Sequence, residues 1–195
     1  WKTLKEALLA NAEHPGLDFG KHIIPYCHGK GDPLYAFEFN GYWKDVGTLN
    51  SYWEANMELI DIVPEFNLYE EYWKIYTRSE ILPPQYFADN TVVERSIIGE
   101  GTDIYGKVYN SVIGCGVTIG KDTIVRDSII MNNTVIGDGC EVYKAIIAEN
   151  VEVGNYVKLG FGEEVPNETD PHIYSNGIVT VGEKSVIPEG ITVGK

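Results

Sequence analysis

In the second half of the chain, a pattern of apolar and polar positions repeats about every six residues. A typical step begins with Ile or Val, continues with Gly and has a small residue in the fifth place. Four copies of a longer pattern, each ending in two aliphatic residues, follow one another at spacings of 15, 17 and 17 residues: 95–98, 110–113, 127–130 and 144–147. A repeat of this length is the sequence signature of a hexapeptide β-helix.

The spacing predicts which side chains point inward. A three-sided coil with one six-residue step per face needs about 18 residues, so the observed spacings predict that one corner of each coil is shortened. The second aliphatic residue of each copy should stack on its equivalent in the next coil, and Asn132 should lie at a corner. The predicted column consists of Ile98, Ile113, Ile130 and Ile147. A β-sandwich would instead show period-two patterning with irregular turn spacing.

The first half of the chain has a different pattern, of short helical and extended segments. Residues 3–6 form a capping-box pattern that predicts a helix ending near Asn11. Residues 18–25 indicate a loop, a short apolar segment and a stop at the final proline. Thr48 is expected to cap another helix, with apolar side chains at helical spacing, that stops before Pro64.

A β-hairpin is predicted between these helices. Residues 34–39 and 42–46 are apolar and aromatic runs separated by Asn-Gly, which favours a type I′ turn. One hairpin and two helices bury too little surface to fold alone. We therefore expect residues 1–90 to be the end of a larger α/β domain whose main sheet lies upstream, and residues 91–195 to form the β-helix domain.

Composition excludes some classes of partner. The net charge is −14, and the acidic excess is present in both halves of the chain. Nucleic acids and anionic membranes are recognised by basic surfaces, so neither is expected as a partner. No apolar run is long enough to span a bilayer. Cys27, Cys115 and Cys140 lack metal-ligand spacing, which indicates reduced, structural cysteines in the cytoplasm.

Several motifs together resemble one enzyme family, the glucose-1-phosphate adenylyltransferases of bacterial glycogen synthesis. They are Asp-Phe-Gly-Lys at 18–21, Tyr-Trp-Lys-Asp-Val-Gly-Thr at 42–48, Tyr-Trp-Glu-Ala-Asn at 52–56, Pro-Pro-Gln-Tyr at 83–86 and the Ser-Ile-Ile repeats. The resemblance implies a mainly β fold, with a left-handed parallel β-helix after an α/β remnant of the catalytic domain. It also implies that the Gly-rich nucleotide loop and the first metal-binding Asp lie upstream, so that the isolated chain is inactive.

The resemblance assigns chemistry to a few residues. The family joins ATP and glucose-1-phosphate with Mg²⁺ as cofactor, and Asp45 stands at the position of its second metal-ligating Asp. The alternative is that Asp45 only caps the helix after it. Trp43 and Phe19 could shape the sugar pocket or be ordinary core aromatics. Asp18 and Lys21 could orient that pocket or simply pair with each other, and Lys44 is expected to face away from the metal.

The resemblance also implies a cytoplasmic homotetramer with a small-molecule effector site at the domain boundary. Three alternatives stay open: another sugar-1-phosphate nucleotidyltransferase, a regulatory or structural subunit of the same pathway, and a hexapeptide acyltransferase. The acyltransferase would use a histidine as general base. The candidates for that base are His14, His22, His28 and His172, the last in the one stretch of the second half without hexapeptides.

Overall fold

The computed structural model of the chain describes residues 1–14, 17–74, 76–77, 81–162 and 177–194. Within it the chain divides into two compact units, Trp1–Gly41 and Tyr42–Lys195. The predicted boundary near residue 90, between a catalytic-domain part and the β-helix domain, stays a prediction.

The described part of the first unit contains three short helical segments, all before residue 30. It contains α1 (Lys2–Ala10), a π-helical turn (Phe19–Ile23) and α2 (Ile24–Gly29). Ala7 of α1 packs against Ile23 and Cys27, and all three side chains are buried. This small apolar cluster holds α1 against the π-helical turn and α2.

Two details of the sequence prediction for this unit are wrong. The first helix begins at Lys2, and its N-cap, Trp1, makes no side-chain capping bond, so Thr3 lies inside the helix rather than capping it. Pro25 does not stop a segment but lies in the first turn of α2. A proline is tolerated there because the N–H groups of the first turn have no partner within the helix.

The predicted hairpin does not form. Residues 34–46 contain no strand, and neither Asn40 nor Gly41 has the positive φ that a type I′ turn requires. Tyr35 is 91% exposed and Phe37 is 89% exposed. A two-stranded hairpin is at best marginally stable without further strands, and the described residues supply no third strand beside this segment.

The second unit contains α3 (Leu49–Glu58) followed by short strands that wind into a parallel β-helix. The strands in its described part are β1 (Tyr86–Phe87), β2 (Val92–Glu94), β3 (Ile97–Ile98), β4 (Asp103–Ile104), β5 (Lys107–Tyr109), β6 (Val112–Ile113), β7 (Thr118–Ile119), β8 (Ile124–Arg126), β9 (Ile129–Ile130), β10 (Val135–Ile136), β11 (Glu141–Tyr143), β12 (Ala145–Ile147), β13 (Glu152–Val153), β14 (Lys158–Leu159), β15 (Val179–Val181), β16 (Val186–Ile187) and β17 (Thr192–Val193).

These strands form three parallel sheets. Sheet A runs β1-β4-β7-β10-β13-β16, sheet B runs β2-β5-β8-β11-β14-β17, and sheet C runs β3-β6-β9-β12-β15. The predicted column is confirmed, since Ile98 pairs with Ile113, Ile113 with Ile130, and Ile130 with Ile147. Ile130 is only 1% exposed. The β-helix fold class and its repeat register are therefore as the sequence predicts.

The shortened corner lies between sheets B and C. Each coil turns there through one residue with a left-handed backbone, φ 46–51°: Arg95, Asn110, Asp127 and Lys144. The coil of 15 residues has a second short corner, between β4 and β5, where Gly106 replaces a longer turn. A Cβ atom on Gly106 would lie 2.3 Å from the carbonyl oxygen of Thr123, so only glycine fits.

Three serines link the coils next to the corner between sheets B and C; Ser111 and Ser128 are buried and Ser96 is half-buried. The hydroxyls of Ser96, Ser111 and Ser128 each donate to the carbonyl two residues earlier, at 2.7–2.8 Å. Each also accepts the backbone N–H of the equivalent residue in the next coil, at 3.1 Å. The polar groups are thereby satisfied inside the protein. The series ends at Ala145, and the N–H of Val179, the equivalent residue of the next coil, donates to the backbone carbonyl of Lys144 at 3.1 Å instead.

Candidate functional site

In the first unit, the predicted sugar-site residues lie on the π-helical turn. The Asp18 carboxylate caps this turn by accepting the backbone N–H of Lys21 at 2.6 Å. The backbone N–H of Asp18 donates to Nδ1 of His22, whose ring stacks on His14 with centroids 5.0 Å apart. Phe19, at 56% exposure, is not a core aromatic. The roles of these residues in sugar binding stay predictions.

In the second unit, Asp45 lies in a turn just before α3. Its Oδ1 accepts the backbone N–H of Gly47 at 2.9 Å, and the residue is exposed. Thr48, not Asp45, caps the helix: its hydroxyl accepts the N–H of Ser51 at 3.1 Å, and the Ser51 hydroxyl accepts the N–H of Thr48 at 3.2 Å. The reciprocal pair satisfies two free N–H groups at the helix start. The carboxylate of Asp45 is therefore not needed as a helix cap.

The residues on either side of Trp43 attach this turn to α3. Lys44 Nζ donates to Glu58 Oε1 at 2.5 Å and lies 3.5 Å from Glu54 Oε2. The hydroxyl of Tyr42 donates to the other oxygen of Glu58 at 3.0 Å. The hydrogen bond from Lys44 lowers the pKa of Glu58 and, in turn, raises the pKa of Lys44. Trp43 itself is 74% exposed, so it is not a core residue in this structure.

The helix α3 covers the outer face of sheet C. Ile129 and Ile146 precede the inward residues of their strands and point the other way, yet they are only 3% and 6% exposed. They are buried with Ile178 against side chains of α3: Leu49, Tyr52, Trp53 and Met57. The indole N–H of Trp53 donates to the backbone carbonyl of Asp127 at 2.8 Å.

Sequence reasoning missed this contact. The available signal was the doubled isoleucine of β9 and β12, where the outward position is as apolar as the inward one. On sheet A the equivalent outward positions are more exposed, as at Val135 (45%). An apolar position on both sides of a strand indicates burial on both faces.

The donor atoms near Asp45 determine which metal site this part of the chain can offer. Among the described residues there is no group of three or more His, Cys, Asp or Glu side chains that could hold an ion. Mg²⁺ is commonly held by one or two carboxylates together with waters and substrate phosphates. The exposed carboxylate of Asp45 fits a role as one such ligand. It does not form a complete site by itself.

Of the three histidines that the structure describes, none is bonded to a carboxylate that would orient it as a general base. His22 accepts a backbone hydrogen bond, His14 stacks on it, and His28 is exposed on α2. His172 lies outside the described residues. In the described part of the chain, no helix combines the length and apolarity needed to cross a membrane.

Comparison with known proteins matches both parts of the chain. A family model described as nucleotidyl transferase matches residues 3–62, and one described as the EIF2B subunit epsilon LbH domain matches residues 74–168. Three curated relatives are named glucose-1-phosphate adenylyltransferase. They come from Lachnospira eligens (58% identity over 195 residues), Acetivibrio thermocellus (48% over 197) and Thermotoga maritima (46% over 198).

Each of these alignments covers 100% of this chain but only 46–47% of the relative. The chain therefore spans about half the length of the curated relatives it matches. The aligned part of these relatives is their C-terminal part, and it includes the Asp45 turn, α3 and the β-helix. The chain thus belongs to the glucose-1-phosphate adenylyltransferase family of nucleotidyltransferases and corresponds to the C-terminal part of its members.

Proposed function

We propose that the chain is part of a glucose-1-phosphate adenylyltransferase, which makes ADP-glucose and pyrophosphate from ATP and glucose-1-phosphate for glycogen synthesis. The observation that carries the proposal is the identity of 58% over the whole chain with a relative of that name. The proposed full-length protein, in which an N-terminal part like that of the relatives precedes this chain, is called the parent.

In the proposed reaction, a phosphate oxygen of glucose-1-phosphate attacks the α-phosphorus of ATP, and the bond to pyrophosphate breaks. Such transfers depend on positioning and on neutralising negative charge. A bound Mg²⁺ supplies that neutralisation, and Asp45 is the residue of this chain that would hold it. The bond from Gly47 N–H to Asp45 Oδ1 fixes the carboxylate relative to its own turn. Asp45 thus binds and orients, without transferring a proton.

The remaining predicted residues are assigned to the sugar side of the reaction. Trp43 in the second unit is 74% exposed and Phe19 in the first unit is 56% exposed, and each by itself presents an aromatic face that suits an apolar face of a glucose ring. Asp18 shapes the turn that carries Phe19 through its bond to the N–H of Lys21. The Lys21 side chain supplies a positive charge for a phosphate.

The assembly is proposed to be a cytoplasmic homo-oligomer, a tetramer by resemblance, that responds to a small-molecule effector. All three cysteines are free in the structure, which agrees with a reducing compartment. The β-helix is the proposed source of the contacts between subunits.

The proposed function is tested by assaying the purified parent with a panel of substrates. ATP, GTP, UTP, CTP and dTTP would each be paired with glucose-1-phosphate and with mannose-1-phosphate, and nucleotide-sugar formation would be measured. We expect ATP with glucose-1-phosphate to give the highest kcat/KM. Preference for another base or sugar would favour another sugar-1-phosphate nucleotidyltransferase. No transfer with any pair would favour a regulatory or structural subunit.

A further inference from the structure

The turn that carries Asp45 is connected to the β-helix through α3, within the second unit. The turn is joined to α3 by the contacts of Tyr42 and Lys44 with Glu58, at 3.0 and 2.5 Å. The helix is in turn joined to sheet C by its apolar side chains and by the 2.8 Å bond from the Trp53 indole to a backbone carbonyl. The contacts thus form a continuous series.

We infer that Trp53 is a positioning residue for Asp45, acting through α3, and that the β-helix takes part in the adenylyl transfer by holding this carboxylate in place. The catalytic part of this inference rests on the proposed function. The mechanical part does not, because it concerns only contacts within this chain.

The Trp53 bond is well suited to fix α3 in one position. Apolar packing against Ile129 and Ile146 is non-directional and would allow α3 to slide along sheet C. A hydrogen bond to one carbonyl is directional and selects one position. The acceptor belongs to Asp127, whose backbone is held in the left-handed corner of the coil with φ 51°. The acceptor therefore has a fixed place in the β-helix.

The mechanical part is tested on the chain itself by hydrogen–deuterium exchange. Trp53→Phe keeps an aromatic side chain packed against the outward isoleucines of sheet C but removes the indole N–H. The amides of Gly47 and Ser51, which are bonded to Asp45 and Thr48, should exchange about fivefold faster, which corresponds to the loss of a typical net hydrogen bond. Amides of the β-helix interior should not change.

Two further variants separate the steps of the series. Glu58→Gln weakens the attachment of the turn to α3. It should therefore speed exchange at the Gly47 amide but leave the packing of α3 on sheet C unchanged. Trp73→Phe is the matched control, because Trp73 is 85% exposed, and it should change no amide. Unchanged exchange at Gly47 in Trp53→Phe, or an equal increase throughout the β-helix, would overturn the positioning role.

The catalytic part is tested in the parent. Trp53→Phe should lower kcat about threefold or more and raise the Mg²⁺ concentration for half-maximal rate, while the KM for ATP changes less. Unchanged kcat and Mg²⁺ dependence would overturn the catalytic part. If the unsubstituted parent forms no ADP-glucose, the proposed function has failed, and the exchange result on the chain still decides the mechanical part.

Discussion

Single residues in this chain owe their roles to the coil position that they occupy. Ile130 and Asn132 are two residues apart, yet one is buried in the column and the other is exposed. The left-handed residue at this corner is Asn133, with φ 57°, and not Asn132. Asn132 makes two exposed bonds between coils: its Oδ1 accepts the N–H of Cys115 in the preceding coil at 2.9 Å, and its Nδ2 donates to the Glu149 carboxylate in the next coil at 3.1 Å.

This contrast predicts very different costs of truncation. Ile130→Ala leaves a cavity between Ile113 and Ile147 and should lower the free energy of unfolding by about 2–5 kcal/mol. Asn132→Ala should cost under about 1 kcal/mol, because the N–H that it leaves is exposed and can bond to water. Denaturant unfolding of the two variants measures both values. Equal destabilisation would mean that the inward register of the column is wrong.

A second prediction at this scale concerns the proposed metal ligand. In the parent, Asp45→Asn keeps the shape of the side chain but removes its charge, and turnover should fall at least about 100-fold. Asp61→Asn is the control, because Asp61 is exposed and only forms a surface ion pair with Arg95 at 3.4 Å. Steady-state assays at saturating Mg²⁺ compare the two. Unchanged turnover of Asp45→Asn would make the residue purely structural.

At the scale of elements, α3 and sheet C depend on each other. The apolar face of α3 and the outward isoleucines of sheet C are each removed from water by packing against the other. Residues 34–46 show the opposite situation, because most of their aromatic side chains, such as Tyr35 and Phe37, lie exposed and no strand forms. An element therefore forms here when the rest of the chain supplies its partner.

The dependence of sheet C on α3 predicts a difference between two outward positions of the β-helix. Ile146→Ala should cost about 2–4 kcal/mol because it leaves a cavity beneath α3. Val135→Ala, on the outer face of sheet A, should cost less than about 1 kcal/mol because Val135 is 45% exposed. Thermal unfolding of both variants tests the difference. A similar loss of stability in the two variants would contradict the packing of α3 on sheet C.

The same dependence explains what could be predicted from the sequence. The column of Ile98, Ile113, Ile130 and Ile147 was predictable because its spacing reports directly on contacts between neighbouring coils. The Thr48 cap was predictable because it depends on residues three positions apart. The hairpin prediction was wrong because a turn signal says nothing about whether a third strand is present. The contact of Trp53 with Asp127 joins residues 74 positions apart, and no local pattern reports it.

For the whole molecule, the two units should differ in stability. The first has a small apolar cluster around Ala7, whereas the second has a continuous aliphatic column and ladders of backbone bonds along three sheets. A repeat structure gains stability from each interface between neighbouring coils. The β-helix should accordingly be the cooperative part of the chain.

Hydrogen exchange of the unsubstituted chain tests this expectation. Amides in residues 98–150 of the β-helix should be protected to the level of global unfolding, whereas those in α1 and α2 of the first unit, and those in residues 34–46, which end the first unit and begin the second, should exchange by local opening. Equal or greater protection in residues 34–46 would contradict the expectation that the β-helix is the most stable and cooperative part of the chain.

The central claim is that this chain holds part of an adenylyltransferase site and needs the rest of the parent to act. Its sequence contains no phosphate-cradling Gly-rich loop for ATP. The most direct measurement is pyrophosphate release from ATP, Mg²⁺ and glucose-1-phosphate, with the chain and the parent assayed side by side. The account predicts release by the parent and none by the chain above a protein-free control. Release by the chain alone would contradict it.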